Sequence, residues 1–333
     1  MIDIKEPAKT FYCNSACQTA DWTHHKQACK LLFARKRLYR AGDIVQRIFY
    51  VYREHTFNIN ITEVDKSEDT MYLYEGKYGR DILSPFPYHL FHSEEDKRAA
   101  LTYCNCAVAV AFMLKIIEGF LKGKPQHYGF QLSSLYPLTV HIGLYTKIDE
   151  VNMELQETPR RIYLVDEHGN LDTTEYGHTL LRVSLKSGES YAFDLTGAQF
   201  GYYETITPWS LYEQSRAKKG SIAFSPSDLR LTLIIAASSN SPTVPGITWR
   251  YNKSLANVVK GTCEEFADMK GTGAVCDMLK LAQVAFECKS DQLVYCVAKV
   301  LTNFRAELKR QGRLPRARPF QIGEVWHDER SGC

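Results

Sequence analysis

Residues 31–55 repeat apolar side chains at Leu38, Val45, Ile48, Phe49 and Tyr52, a helical period that predicts one amphipathic helix. The pattern then changes. FNINITEV and MYLYEGKY, between residues 57 and 78, are rich in β-branched and aromatic residues and read as strands. Pro85 and Pro87 interrupt the chain before Ser93, which is followed by Glu94, Glu95 and Asp96. A serine cap with acids behind it suits the positive end of a helix dipole. The predicted helix continues through CNCAVAVAFMLKIIEGFL to about residue 121 and is apolar enough to be central to a core.

Four further strand patterns follow: HIGLYT, RIYLVD, HTLLRVSL and SYAFDL. The last two are separated by KSGE, whose Gly188 marks a hairpin turn. SSNSPTVPG (238–246) reads as a polar linker, and 253–311 as three helices with breaks at Gly271–Gly273 and near Ser290–Asp291. Cys263, Cys276, Cys288 and Cys296 fall among these helices at spacings that match no metal pattern, so they read as small buried hydrophobes.

Composition narrows the function classes. With 41 basic against 38 acidic side chains the net charge is +3, too balanced to argue for nucleic acid as a partner. The longest apolar stretches, near 106–117 and 229–237, are too short and interrupted to cross a bilayer. The first dozen residues contain no apolar leader core. Ten cysteines, several of them clustered in a zinc-type pattern, fit a reducing compartment better than a disulfide scaffold. An intracellular protein with no membrane partner is the expectation.

The most specific string is YCNSACQTADWTHHKQAC at 12–29. Cys13, Cys17, His25 and Cys29 are spaced C-x3-C-x7-H-x3-C. Thiolate and imidazole are the donors that zinc takes in tetrahedral sites. Together with Tyr12, Gln18, Trp22 and Lys26, these residues closely resemble the second half of a MYND-type zinc finger, YC-x3-CQ-x3-W-x2-HK-x2-C. The resemblance implies Zn2+ as cofactor and, as partners, proteins or proline-containing peptides.

A complete finger of that family has two more C-x2-C pairs upstream and interleaves four pairs around two ions. Residues 1–12 contain no cysteine or histidine. Cys13 and Cys17 would then be the third pair and His25 and Cys29 the fourth, each without its mates. A truncated product, a decayed finger, or one regrouped zinc held by all four residues would account for this. The expected fold class is therefore α+β: a partial MYND-like finger (1–33), a body of helices and antiparallel sheet (34–240), a C-terminal helical unit (247–315) and a tail (316–333).

One constellation in the body has the composition of a thiol active site. Cys104 and Cys106 lie on the apolar helix, His178 opens HTLLRVSL, and Asp194 lies in the paired strand. A nucleophilic cysteine requires a lowered pKa, an imidazole beside it and a third group to orient the imidazole. Cysteine on a helix, histidine on a strand and aspartate on the next resembles the core of transglutaminase-like and papain-type folds. Asp194-Leu195-Thr196 echoes the Asp-Pro-Thr common there.

A helix beginning at Ser93, however, places both cysteines far inside it, and no Pro or Gly interrupts Tyr103–Asn105. On sequence the preferred reading is that both are core residues and that His178 and Asp194 cap strands. The aromatic run around Phe200, Tyr202, Tyr203, Trp209 and Tyr212 likewise reads as closing a core edge rather than as a peptide groove. Phosphate-loop, dinucleotide and H-E-x-x-H motifs are absent. The function expected is a zinc-finger interaction protein, with a thiol-dependent hydrolase or acyltransferase as the alternative.

Overall fold

The computed structural model describes residues 14–122, 144–174, 177–224, 228–239, 241–269 and 274–316. Helix α1 (Ser15–Thr56) begins about six turns before the buried apolar stripe that starts at Leu38, with the Asn14 side chain accepting the Cys17 N–H at 2.9 Å. It runs from the cysteine-rich segment into the body without interruption. From Leu38 onward one face is fully buried through Ala41, Ile44, Val45, Ile48, Phe49 and Tyr52, the spacing of a helix lying on a core.

Two sheets flank the central helices. Strands β1 (Ile61–Ser67) and β2 (Thr70–Glu75) form a hairpin, and β4 (Arg161–Val165) joins β2 in parallel, giving the order β1-β2-β4. The second sheet is antiparallel. Its strands β3 (Tyr145–Met153), β5 (His178–Leu185), β6 (Ser190–Phe193) and β7 (Ile206–Pro208) run in the order β3-β5-β6-β7. The β5–β6 hairpin turns through Gly188 at φ +89°, a conformation that favours glycine, as expected from KSGE. The expected strand HIGLYT starts outside the described residues and contributes only its end to β3.

The single helix expected from Ser93 to residue 121 is two. Helix α2 (Glu94–Thr102) and α3 (Cys106–Leu121) meet at 91° across Tyr103–Asn105. Eleven of the residues in α3 are buried, and they pack on Leu181, Val183 and Leu185 of β5 and on α1. Helix α4 (Trp209–Arg216) meets the sheet through Tyr212, which packs with Val151, Leu180 and Ala192.

Helices α5 (Asp228–Ala236), α6 (Val244–Met269) and α7 (Gln283–Arg310), with a 3₁₀ turn at Val275–Lys280, complete the chain. Leu255, Val259, Leu293, Val297 and Leu301 belong to the same core as α1 and α3. Among the described residues, no single helix is long and apolar enough to cross a membrane.

Two other expectations are corrected. Ser290–Asp291 does not break a helix: Arg47 of α1 donates to Ser290 Oγ at 3.1 Å and Asp291 Oδ1 at 2.6 Å, so the polar pair is a helix–helix contact within α7. The linker at 238–246 is shorter than its composition suggests, because Pro245 sits in the first turn of α6, where no N–H is needed. Cys263 and Cys276 are buried as expected, whereas Cys288 is exposed and Cys296 half-buried.

Candidate active site and the N-terminal finger segment

The break between α2 and α3 decides the chemistry of Cys106. Cys104 adopts φ +51°, Asn105 caps α3, and Cys106 becomes its first residue. A helix leaves its first four N–H groups without internal acceptors and carries a partial positive charge there. The thiol that was expected in a helix interior is instead at the dipole end.

His178 and Asp194 meet at the open end of the β5–β6 hairpin. His178 Nε2 lies 2.9 Å from Asp194 Oδ2, and both side chains are essentially inaccessible to solvent. The carboxylate is fully engaged: Tyr212 Oη donates to Oδ2 at 2.8 Å and the Thr196 N–H to Oδ1 at 3.0 Å. Burial alone would raise the Asp194 pKa, but His178 and these donors outweigh it and hold it down to about 2. Gly197 fits against this group because a Cβ there would approach Oδ2 to 3.0 Å and the Tyr202 carbonyl to 2.9 Å.

Cys106 completes the arrangement. Burial pushes its thiol up, yet the His178 ring beside it and the backbone of Thr179 and Ala107 bring the net direction below the ordinary cysteine value. His178 moves oppositely: burial lowers it, while Asp194 and then Cys106 raise it to about 10. Both directions favour a thiolate–imidazolium pair. With Nε2 on Asp194, Nδ1 is the other ring nitrogen; it is buried and makes no well-aligned hydrogen bond among the described residues. The Cys106 thiol itself points to the Gly177 carbonyl at 3.9 Å, so the imidazole acts on it through charge and proximity rather than through a formed hydrogen bond; in sites without substrate such bonds often form only on binding. Phe200 packs edge-on against the imidazole, with centroids 4.9 Å apart.

Cys106 lines a cleft of about 750 Å³ with Cys104, Gly177, Gln199, Phe200 and a polar rim that includes Glu157, Arg161 and Lys218. The sequence-derived set Cys106, His178 and Asp194 is therefore one site. Cys104 shapes the turn and lines the cleft. Sequence reasoning missed Gln199 as a functional residue, and it took Tyr212 and Phe200 only as core aromatics. The Asp194-Leu195-Thr196 echo was the one signal near them; the Thr196 N–H proves to be a donor to Asp194.

The finger segment occupies the exposed start of α1. His25 Nε2 and Cys29 Sγ lie 3.2 Å apart, one turn from each other. Zinc bonds of about 2.3 Å to sulfur and about 2.0 Å to nitrogen at a tetrahedral angle separate two donors by roughly 3.5 Å, so this pair fits half of a zinc site. Cys17 is eight residues earlier on the same helix, about 12 Å along its axis. That distance is too great for a shared ion, so one regrouped zinc held by all four residues does not fit this helix. Cys13 lies outside the described residues. Among the described residues no group of three or more His, Cys, Asp or Glu could hold a metal. Trp22 is about half exposed and stacks on His25.

The family model of the MYND finger matches residues 8–29. This segment is a partial MYND finger. The match implies zinc chemistry and protein partners for the segment and covers none of the body. No curated protein and no solved structure matches the chain.

Proposed function

We propose that the chain is a thiol-dependent acyltransferase or hydrolase that acts on protein partners engaged through its partial MYND finger. The observation that carries this reading is the helix break, which puts Cys106 at the start of α3 against the buried His178–Asp194 pair. The Cys106 thiolate attacks an acyl carbonyl to form a thioester. His178 gives its proton to the leaving group, then takes one from the incoming water or amine as the thioester is cleaved, which restores the thiolate–imidazolium pair. Asp194 orients the ring and stabilises its charged form. The Cys106 N–H, at the first position of α3, is placed to stabilise the developing oxyanion.

The order of the three residues agrees with the transglutaminase-like resemblance of the sequence. The polar rim of the cleft suits a polypeptide, and the His25–Cys29 pair has the separation of half a zinc site.

The test is acylation by p-nitrophenyl acetate, followed by peptide mapping. One acetyl group on Cys106, absent from the His178→Ala and Asp194→Asn variants, is expected. Acetylation that avoids Cys106, or that persists at the same rate without His178, overturns the reading.

A further inference from the structure

Among the described residues that line the cleft, Cys104 alone has a left-handed backbone. Among the described residues, one other non-glycine has positive φ, Glu68 at +49°, in the β1–β2 hairpin turn. Nothing local demands such a backbone at Cys104. From Glu94 to Glu118 the chain contains neither Gly nor Pro, and continued helix would satisfy its backbone groups without left-handed strain. Strain of this kind persists only where the surroundings hold it, and it collects at functional sites.

We propose that Gln199 is a positioning residue whose buried side-chain amide holds Cys104 in this conformation and thereby keeps Cys106 at the start of α3. The inference rests on the reading of Cys106 as the nucleophile. Gln199 comes from the 3₁₀ turn Gly197–Phe200, about 95 residues further along the chain, and is 6 % exposed. Its Oε1 accepts the Cys104 N–H at 3.0 Å, and its Nε2 donates to the Thr196 carbonyl at 3.2 Å. The Thr196 N–H in turn donates to Asp194 Oδ1. One hydrogen-bonded path thus joins the acid that orients His178 to the turn that presents the thiol.

The flanks of the break are held separately. Arg53 Nε donates to the Leu101 carbonyl at 3.0 Å, and Asn105 Nδ2 donates to the Tyr103 carbonyl at 2.5 Å. The Cys104 N–H is therefore the point where the acid loop grips the break. Without that acceptor, residues 103–105 gain by closing into helix. Cys106 would then lie inside the helix, where its N–H and that of Ala107 turn to carbonyls four residues back instead of toward the thiol and an oxyanion.

The experiment is the pH profile of Cys106 carbamidomethylation by iodoacetamide in the full chain, with folding checked by thermal unfolding. Gln199→Leu removes the amide at similar length. It should move the inflection up by at least about one pH unit and slow labelling at pH 7 by at least about threefold, as the thiolate loses its stabilisation and the more basic thiolate regains part of the rate. Cys104→Gly, which adopts positive φ without strain, should leave the profile near wild type and restore most of the loss when combined with Gln199→Leu. A merely structural role for Gln199 would not be rescued in this way.

Should Gln199→Leu fail to fold, Gln199→Asn keeps the polarity but ends one bond short, and the same upward shift is expected. A folded variant of either kind with an unchanged profile, or a double variant no better than the single, overturns the proposal. Wild-type labelling that is slow and indifferent to His178→Ala would instead remove the nucleophile reading itself, so the two failures are distinguishable.

Discussion

Replacing His178 with alanine tests the site most directly, and the protein contains its own reference for the size of the effect. Cys263 is buried without an imidazole, and burial raises its thiol to about 12. Cys106 is equally buried but lies below the ordinary value of 9.0 because His178 and the start of α3 offset burial. Without His178, Cys106 moves toward the situation of Cys263.

Between 9 and 12 the thiolate fraction at pH 7 falls about 1,000-fold, by ten for each pKa unit. A more basic thiolate is intrinsically more nucleophilic, with a Brønsted slope near 0.45, and that returns about 20-fold. The net loss of alkylation rate at pH 7 is then roughly 50-fold, and larger in proportion as the wild-type thiol lies further below 9. The sharper signature is the shape of the profile. Wild-type labelling by iodoacetamide should level off by about pH 10, whereas the variant should still rise tenfold per unit there. A wild-type rate still climbing at pH 10, or equal rates for the two proteins at pH 7, would refute the reasoning.

The other predictions concern stability and metal. The His178–Asp194 pair should bound the stable pH range on both sides. The Asp194 pKa is depressed from 3.8 to about 2, so its contribution is complete above about pH 4 and lost as pH falls through 2. That of His178 is complete below about pH 6.5 and lost as pH rises through 10. Denaturant midpoints measured from pH 2 to pH 10 should fall at both ends in the wild type and flatten in Asp194→Asn. Gly197→Ala should destabilise the fold by about 1–3 kcal/mol in urea titrations, because the added methyl displaces either the carboxylate or the Tyr202 carbonyl; an unchanged midpoint would show that the loop yields freely. Removing residues 1–30 should lower Tm by less than about 2 °C, since full burial on α1 begins at Leu38. The 333-residue chain should retain less than one tightly bound zinc after mild chelation; a full equivalent lost on Cys29→Ser would show that the start of α1 rearranges around the metal.

The sequence alone determined most of the elements and their types. Period 3.6 on Leu38–Tyr52 and the β-branched runs at β1, β2, β4, β5 and β6 are local signals, and a turn glycine suffices to pair β5 with β6. The half-finger was equally legible, because ligand type and spacing are written in adjacent residues. The members of the candidate triad could be named from the sequence, but the reason they form a site could not.

That reason is the bend at Tyr103–Asn105, in a stretch with no Gly or Pro to break the helix. It is held by Gln199 from a turn formed about 95 residues later, and by Arg53 from α1. Likewise, Ser290–Asp291 has the look of a helix break until Arg47 arrives from α1, and Tyr212 gives no sign in the sequence of its bond to Asp194. Local propensities amount to tenths of a kcal/mol per residue. A buried amide or guanidinium that satisfies a backbone group is worth more than that, so tertiary contacts decided where the helix stopped and hence whether Cys106 lies in a helix interior or at a helix start.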